Sequence, residues 1–321
     1  MRISTSQMFY SGTSNIINSQ SEMYKTQNQL STGRKILTPR DNPVDSTLAL
    51  MTTQAKEVNS TFLKNQGTAS DHLSYVDSQL GSVSELLQDV IARSVQGGNS
   101  SYSAQQKQAI AEELKRRFEG LVDIANAKDG SGEYIFSGNR TNVQPFRVDG
   151  SGGNYALDAT TTSGPIVSYS GDDGRRLLQV EGSQTVATSE SGQEVFMRVM
   201  DSSGNLNGRS VFDAVKNMID ALDSSSGVVP APSYDQALGD LHASLDHISR
   251  IRASVGSRMN QMDALTSAGA DVAVQYDTRL ANLEGLDYAE AISRLNQQKM
   301  QLEASQLSFT KVTQLSLFNL L

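Results

Sequence analysis

The chain has 321 residues, no Cys, no Trp, and 35 acidic against 27 basic side chains, for a formal net charge of −8. That balance gives no general attraction for phosphate backbones or anionic lipid, so neither nucleic acid nor membrane is an expected partner, and the missing thiols exclude a disulfide framework, a thiolate metal site and a cysteine nucleophile. With 6% aromatic residues, the core must be narrow, built from Leu, Val, Ile, Ala and Met seams.

The opening, MRISTSQMFYSGTS, has no apolar run of signal-peptide length behind Arg2, and no stretch approaches the roughly 18 apolar residues of a spanning helix. Export, if it occurs, is expected without a cleaved secretory signal. Phe9, Ile16, Met23, Leu30 and Leu37 recur every seven residues, with Tyr10, Ile17 and Tyr24 one position on. This spacing predicts a helix whose thin apolar stripe needs a partner, because alone it buries too little to be stable.

TPRDNPVDSTLAL punctuates next, with Asn42 placed as a helix N-cap, Pro43 as the first helical residue and Asp45 as a favourable first-turn charge. From Phe62 a full heptad seam follows, with Leu73, Leu80 and Leu87 in one register and Val76, Val83 and Val90 in the other. QGGNSSYS, residues 96–103, breaks it, and a returning helix is expected through Ile110, Leu114, Phe118, Leu121 and Ala125.

The middle is of different material: 13 of the 25 glycines fall between Gly130 and Gly208. Six short runs, EYIFSG, PFRVDG, NYALDA, PIVSYS, RRLLQVEG and EVFMRVMD, read as strands of a small antiparallel domain or a set of hairpins. A helix is expected over 210–224, followed by the SSGVVPAPS linker. The heptads then restart with Leu241, Ile248, Val255 and Met262, are expected to be interrupted at Gly269, and continue with Tyr288, Leu295, Leu302 and Phe309.

The expected fold is α+β, mainly α, with long antiparallel helices from both chain ends forming a coiled-coil or helical bundle and a small β-rich domain inserted between them. Three parts follow: 1–42 with 286–321 as a terminal coiled coil, 43–130 with 210–285 as a helical rod, and 131–209 as a β-rich outer domain.

Catalytic patterns are not found. His242 and His247 are five residues apart, which does not place two ligands on one helical face. DGSGEY and GDDG lack the spacing of a calcium loop and read as turns. Neither cofactor, metal nor enzymatic activity is expected. Patterning alone leaves two readings of the ends open: a closed bundle within one chain, or surfaces that pair with other copies.

Specific residues go further than periodicity. MRIST at the start, NQLSTGRKILTPRDNPVDSTLAL at 28–50, GEYIFSGNRTNVQPF at 132–146 and LSLFNLL at the end resemble the flagellin and hook-associated family. Within the third block, Tyr134, Ile135, Phe136, Gly138, Thr141, Pro145 and Phe146 match the family motif. PRDNPVD and the opening MRIST depart from the usual flagellin pattern and lean toward the family's junction proteins.

The resemblance implies a structural subunit of the bacterial flagellum, a ring of copies joining the hook-associated junction protein on the hook side to flagellin, exported through the flagellar type III channel with a chaperone and without a cleaved signal. It implies that Phe9, Ile16, Met23 and Leu30 pair with Leu295, Leu302, Phe309 and Val312. The Leu73–Val90 seam would pack on that from Leu241 to Met262, and Leu315, Phe318 and Leu320 would meet other subunits. A filament-forming flagellin is the near alternative, and a secreted coiled-coil adhesin or effector the distant one.

Overall fold

A computed structural model describes residues 5–148, 167–199, 209–223 and 233–318. Six helices carry the chain: α1 (Thr5–Thr32), α2 (Pro43–Gly97), α3 (Ala104–Ala125), α4 (Val211–Leu222), α5 (Tyr234–Glu284) and α6 (Tyr288–Phe318). Four strands of three residues lie between α3 and α4: β1 (Phe146–Val148), β2 (Val167–Tyr169), β3 (Leu177–Gln179) and β4 (Thr185–Ala187). They form two antiparallel pairs, β1 with β2 and β3 with β4, with Arg147 opposite Ser168 and Leu178 opposite Val186. Long terminal helices around a small strand region give the expected α+β, mainly α, class.

Two compact units are present, Met1–Ser60 with Ala270–Leu321, and Thr61–Gly269. Helices α2 and α5 each contribute to both.

The second unit holds the core. Leu73, Val76, Leu80, Val83, Leu87 and Val90 of α2, and Leu241, Ile248, Val255 and Met262 of α5, all belong to one buried cluster. Asp77 receives both Nε and Nη2 of Arg252 at 3.1 and 3.2 Å, an ion pair on the edge of that seam. Helix α3 starts at a capping box in which Ser103 Oγ accepts from the Gln106 N–H and Gln106 returns a bond to Ser103. α4 starts the same way on Ser210 and Asp213. These caps direct α3 and α4 against each other, and their apolar faces bury Phe118, Val215 and Met218 completely.

Five phenylalanines join the strand region to the helices. Phe146 lies 5.3 Å, centroid to centroid, from both Phe196 and Phe212, Phe136 lies 5.2 Å from Phe196, and Phe118 lies 6.1 Å from Phe212. The hairpin β3–β4 is tied down through its backbone: Asn65 and Gln66 side chains on α2 donate to the carbonyls of Gln179 and Val180, each at 2.8 Å. Arg258 on α5 donates to the Ala187 carbonyl at 2.9 Å and pairs with the buried Glu190.

Four sequence expectations change. Leu37, read as the last residue of the first helical stripe, lies beyond α1, which ends at Thr32. Gly269 does not interrupt the helix, since α5 runs unbroken from Tyr234 to Glu284; one glycine in a helix interior costs only about 1 kcal/mol, and the helix continues on both sides of it. EVFM is a single π-helical turn, Gln193–Met197, not a strand. A short apolar run cannot separate the two by period alone, and here burial of Val195 and Phe196 fixes the outcome. EYIFSG forms turns with isolated bridges, Lys128 to Tyr134 and Ser137 to Ser191, in place of a strand. PFRVDG, PIVSYS and RRLLQVEG do contain β1, β2 and β3, β4 is additional, and NYALDA lies outside the described residues.

Candidate assembly interface

In the first unit α1 and α6 lie side by side. Phe9 meets Phe309 at 5.0 Å between ring centroids at one end. At the other, Gly33 stands against Tyr288 and the backbone bridges from Arg34 to Gly285, so the two helices are antiparallel. The Phe309 ring lies so close over Gly12 that a Cβ there would stand 2.6 Å from it. Leu302 is buried at 8% exposure, and Ala291 fully.

The closed end is held by hydrogen bonds. Gly33 adopts φ +69°, the left-handed conformation that suits a glycine after a helix. Lys35 N–H donates to the Glu284 carbonyl at 2.7 Å, and Leu286 N–H donates to the Gly33 carbonyl at 3.1 Å. Gln29, itself buried, donates to the Lys35 carbonyl at 2.6 Å. Asp41 accepts from the N–H groups of Leu37 and Thr38, each at 3.0 Å, and pairs with Lys25 at 2.7 Å. The Lys25 hydrogen bond and these two N–H groups hold the Asp41 carboxyl down to about 2. Asn42 then caps α2, accepting from Asp45 N–H at 3.1 Å. The block GRKILTPRDN is therefore a clasp that fixes where α1 ends and α2 begins.

Beyond that clasp, the unit has little core. Among the described residues, 14 of the 18 exposed large apolar side chains belong to Met1–Ser60 and Ala270–Leu321. On α1, Tyr10, Ile17 and Tyr24 are 78%, 59% and 54% exposed, and Phe9 is 54% exposed beside them. On α2, Val44, Met51 and Val58 repeat the seven-residue spacing and are all more than half exposed. On α6, Met300 and Leu307 are 62% and 60% exposed. Among the described residues, these are heptad stripes without a partner.

Of the residues read as interface, Ile16, Met23, Leu30, Leu295 and Phe309 are half-buried, while Phe9 and Val312 are exposed. Phe9, Phe309 and Val312 gather at the open end, where Gly12, Ser308 and Val312 line a groove between α1 and α6. Leu315, Phe318 and Leu320 lie outside the described side chains. The outward stripes on α2 and α6 are not identifiable from the sequence. Their spacing was visible, but nothing in it distinguishes a stripe that meets its own chain from one that meets solvent.

The family-motif residues serve a different purpose, being packed inside the second unit. Ile135, Phe136, Pro145 and Phe146 are buried, and Tyr134 N–H donates to the Thr141 carbonyl at 2.9 Å. Gly138 has φ +69° and a Cβ there would fall 2.4 Å from the Asp172 carbonyl oxygen, so only glycine fits. Asp172 Oδ1 in turn accepts from Asn139 N–H at 2.8 Å and Gly174 N–H at 2.9 Å. The motif closes a turn that delivers Phe136 and Phe146 to the aromatic cluster.

Chemistry of other kinds has little to stand on. His247 is buried, with Nε2 donating to the Glu194 carbonyl at 2.9 Å, and burial pushes its imidazole below the usual value. It serves as a packed core histidine. Among the described residues there is no cluster of three or more metal-ligating side chains, and no helix is long and apolar enough to cross a membrane.

Two family models match this chain. The bacterial flagellin N-terminal helical region matches residues 3–141, and the bacterial flagellin C-terminal helical region matches residues 238–321; together they take in more than two thirds of it. The flagellar hook-associated protein 3 of Salmonella typhimurium is 28% identical over 333 residues, covering 100% of this chain and 99% of that protein. Its namesake in Escherichia coli is likewise 28% identical, over 331 residues, with 100% and 99% covered. The crystal structure of flagellar hook-associated protein 3 from Legionella pneumophila shares the fold, with a TM-score of 0.62 at 20% identity over 73% of this chain and 98% of that one. Helical regions of one family thus account for both ends of the sequence, α1 to α3 at one end and α5 with α6 at the other, and the chain belongs to the flagellin family.

Proposed function

We infer that the chain is a structural subunit of the bacterial flagellum, acting at the junction between the hook-associated proteins and the flagellin filament and assembling through its terminal helices. The observation that carries this reading is the distribution of apolar surface. The second unit closes a core by itself, while α1, the start of α2 and α6 leave heptad stripes open. A helical surface of that kind is completed by other helices. The full-length similarity to proteins named hook-associated protein 3 supports the position in the flagellum.

The finer points belong to the same reading. Copies form a ring that meets the hook-associated junction protein on one side and flagellin on the other. The subunit reaches its extracellular place through the flagellar export channel, with a chaperone.

A filament-forming flagellin is the second reading, favoured by the description of the two matching family models. Complementation separates them. In a bacterium lacking its own junction subunit, the chain restores motility; in one lacking flagellin, it makes no filament. Long filaments of this chain alone would establish the second reading. Deleting residues 301–321 is expected to abolish incorporation while leaving the melting of the second unit unchanged, and normal motile filaments from that truncation would contradict the proposal.

A further inference from the structure

The chain carries ten methionines and neither Cys nor Trp, so its thioethers are the side chains with which a mild two-electron oxidant reacts most readily. Seven of the ten have described side chains. Met218 and Met262 are fully buried in the second unit, and Met23, Met197 and Met259 are half-buried. Met51 on α2 and Met300 on α6 are both more than half exposed. For one kind of group, reactivity follows access, so among the described residues an oxidant dissolved in water meets the sulfurs of Met51 and Met300 first.

Both positions belong to the first unit and both stand inside its open stripes. Met51 lies midway between Val44 and Val58, seven residues from each, and Met300 lies seven residues before Leu307, all of them exposed. A methionine suits such a surface, because its unbranched, polarisable chain adapts to an approaching helix. A sulfoxide does not. Its oxygen is a strong hydrogen-bond acceptor, Val44, Val58 and Leu307 carry no side-chain donor to receive it, and covering it with apolar groups strips away its water without replacement. The methionines that close the core of the second unit, Met218 and Met262, are out of reach of the same oxidant.

We propose that Met51 and Met300 are oxidation sites of the free subunit, at which a peroxide converts the thioether to a sulfoxide and thereby removes the subunit from assembly. The sulfur lone pair attacks one peroxide oxygen, and the S–O bond forms as the O–O bond breaks. The transferred hydroxyl gives its proton to the departing hydroxide, which leaves as water, so sulfur loses the two electrons that the peroxide gains. The inference rests on the assembly reading above and adds a control to it. A subunit is open to oxidation before it joins its neighbours and shielded afterwards, so a finished flagellum keeps its subunits while oxidised newcomers are excluded.

The purified chain, and flagella isolated from a bacterium in which it replaces the junction subunit, are each exposed to hydrogen peroxide, and peptide mass spectrometry follows the gain of one oxygen at every methionine. In the free chain, Met51 and Met300 are expected to oxidise about tenfold faster than Met218 and Met262, with the melting of the second unit unchanged. Comparable rates at all four overturn the oxidation sites and leave the assembly reading standing. In flagella, oxidation of Met51 and Met300 is expected to slow roughly tenfold. Undiminished rates there, or exclusion of even the unaltered chain from flagella, overturn the assembly reading and the control with it. The double variant Met51→Gln with Met300→Gln sets an amide oxygen near where the sulfoxide oxygen would stand, and glutamine keeps the helix propensity of methionine. Its incorporation is expected to fall roughly tenfold without any peroxide. Incorporation equal to that of the unaltered chain overturns the control by oxidation alone.

Discussion

Phe146→Ala is expected to cost the second unit about 3–5 kcal/mol and to lower its melting temperature by on the order of 10 °C. Phe146 is fully buried and touches Tyr169, Phe196 and Phe212 at ring distances of 5.2 to 5.3 Å. Its backbone is committed as well: Asn126 donates to its carbonyl and accepts from its N–H, each at 3.0 Å. Removing the ring leaves a cavity whose walls come from α4, the π-helical turn and β2, elements held by their own caps and hydrogen bonds, so relaxation into the space is limited. Leu177→Ala is the control, since Leu177 is 66% exposed on the neighbouring hairpin and its loss is expected to stay within about 0.5 kcal/mol. Circular-dichroism melts of the two variants check the contrast. Equal and small shifts would mean that the family motif is not a core element.

Gly12→Val is expected to leave the same melting transition untouched and to abolish incorporation into flagella. The valine Cβ would stand 2.6 Å from Cδ2 and 2.9 Å from Cε2 of Phe309, a separation at which the ring must leave. Displacing it costs the Phe9–Phe309 contact and opens α1 from α6 at the end away from the Gly33 clasp, a penalty of about 1–3 kcal/mol. A unit whose described apolar core is little more than Leu302, Ala291 and Ala49 has no reserve to absorb that. Gly12→Ala is the milder case, because the gain of about 1 kcal/mol in helix propensity works against the clash. Motility on soft agar and immunoblots of sheared flagella measure the outcome.

The sequence conveyed the helices and their seams well, because heptads in Leu73–Val90 and Leu241–Met262 are long and the residues at those positions are buried in one cluster. Caps were equally plain at Asn42, where side-chain chemistry is local. What stayed hidden depends on tertiary contact. EVFM and EYIFSG have strand composition, yet Phe196 and Phe136 are recruited sideways into an aromatic cluster with residues from α3 and α4, and the backbone follows the rings. At Gly269 the opposite holds: a residue that punctuates in isolation is carried through by the helix on either side. For the interface, the stripe at Phe9 and Phe309 could be read from spacing, while the outward stripe at Met300 and Leu307 required knowing which side of α6 faces α1. Recognising the block around Tyr134–Phe146 pointed to the family, but its role as a closed turn around Gly138 emerges only from the proximity of Asp172.

On the proposed function, the second unit is complete within one chain and the first is completed by neighbours. Limited proteolysis of the free subunit, set beside the same chain in isolated flagella, tests this most directly. In the free subunit, cleavage is expected first within residues 1–60 and 270–321, where few side chains are buried, leaving a resistant product that retains α3, α4 and the phenylalanine cluster. In flagella, those same ends are expected to resist as long as the core does. Ends that survive in the free subunit as long as Thr61–Gly269 would show that the terminal helices are finished without partners, and would overturn the proposed assembly.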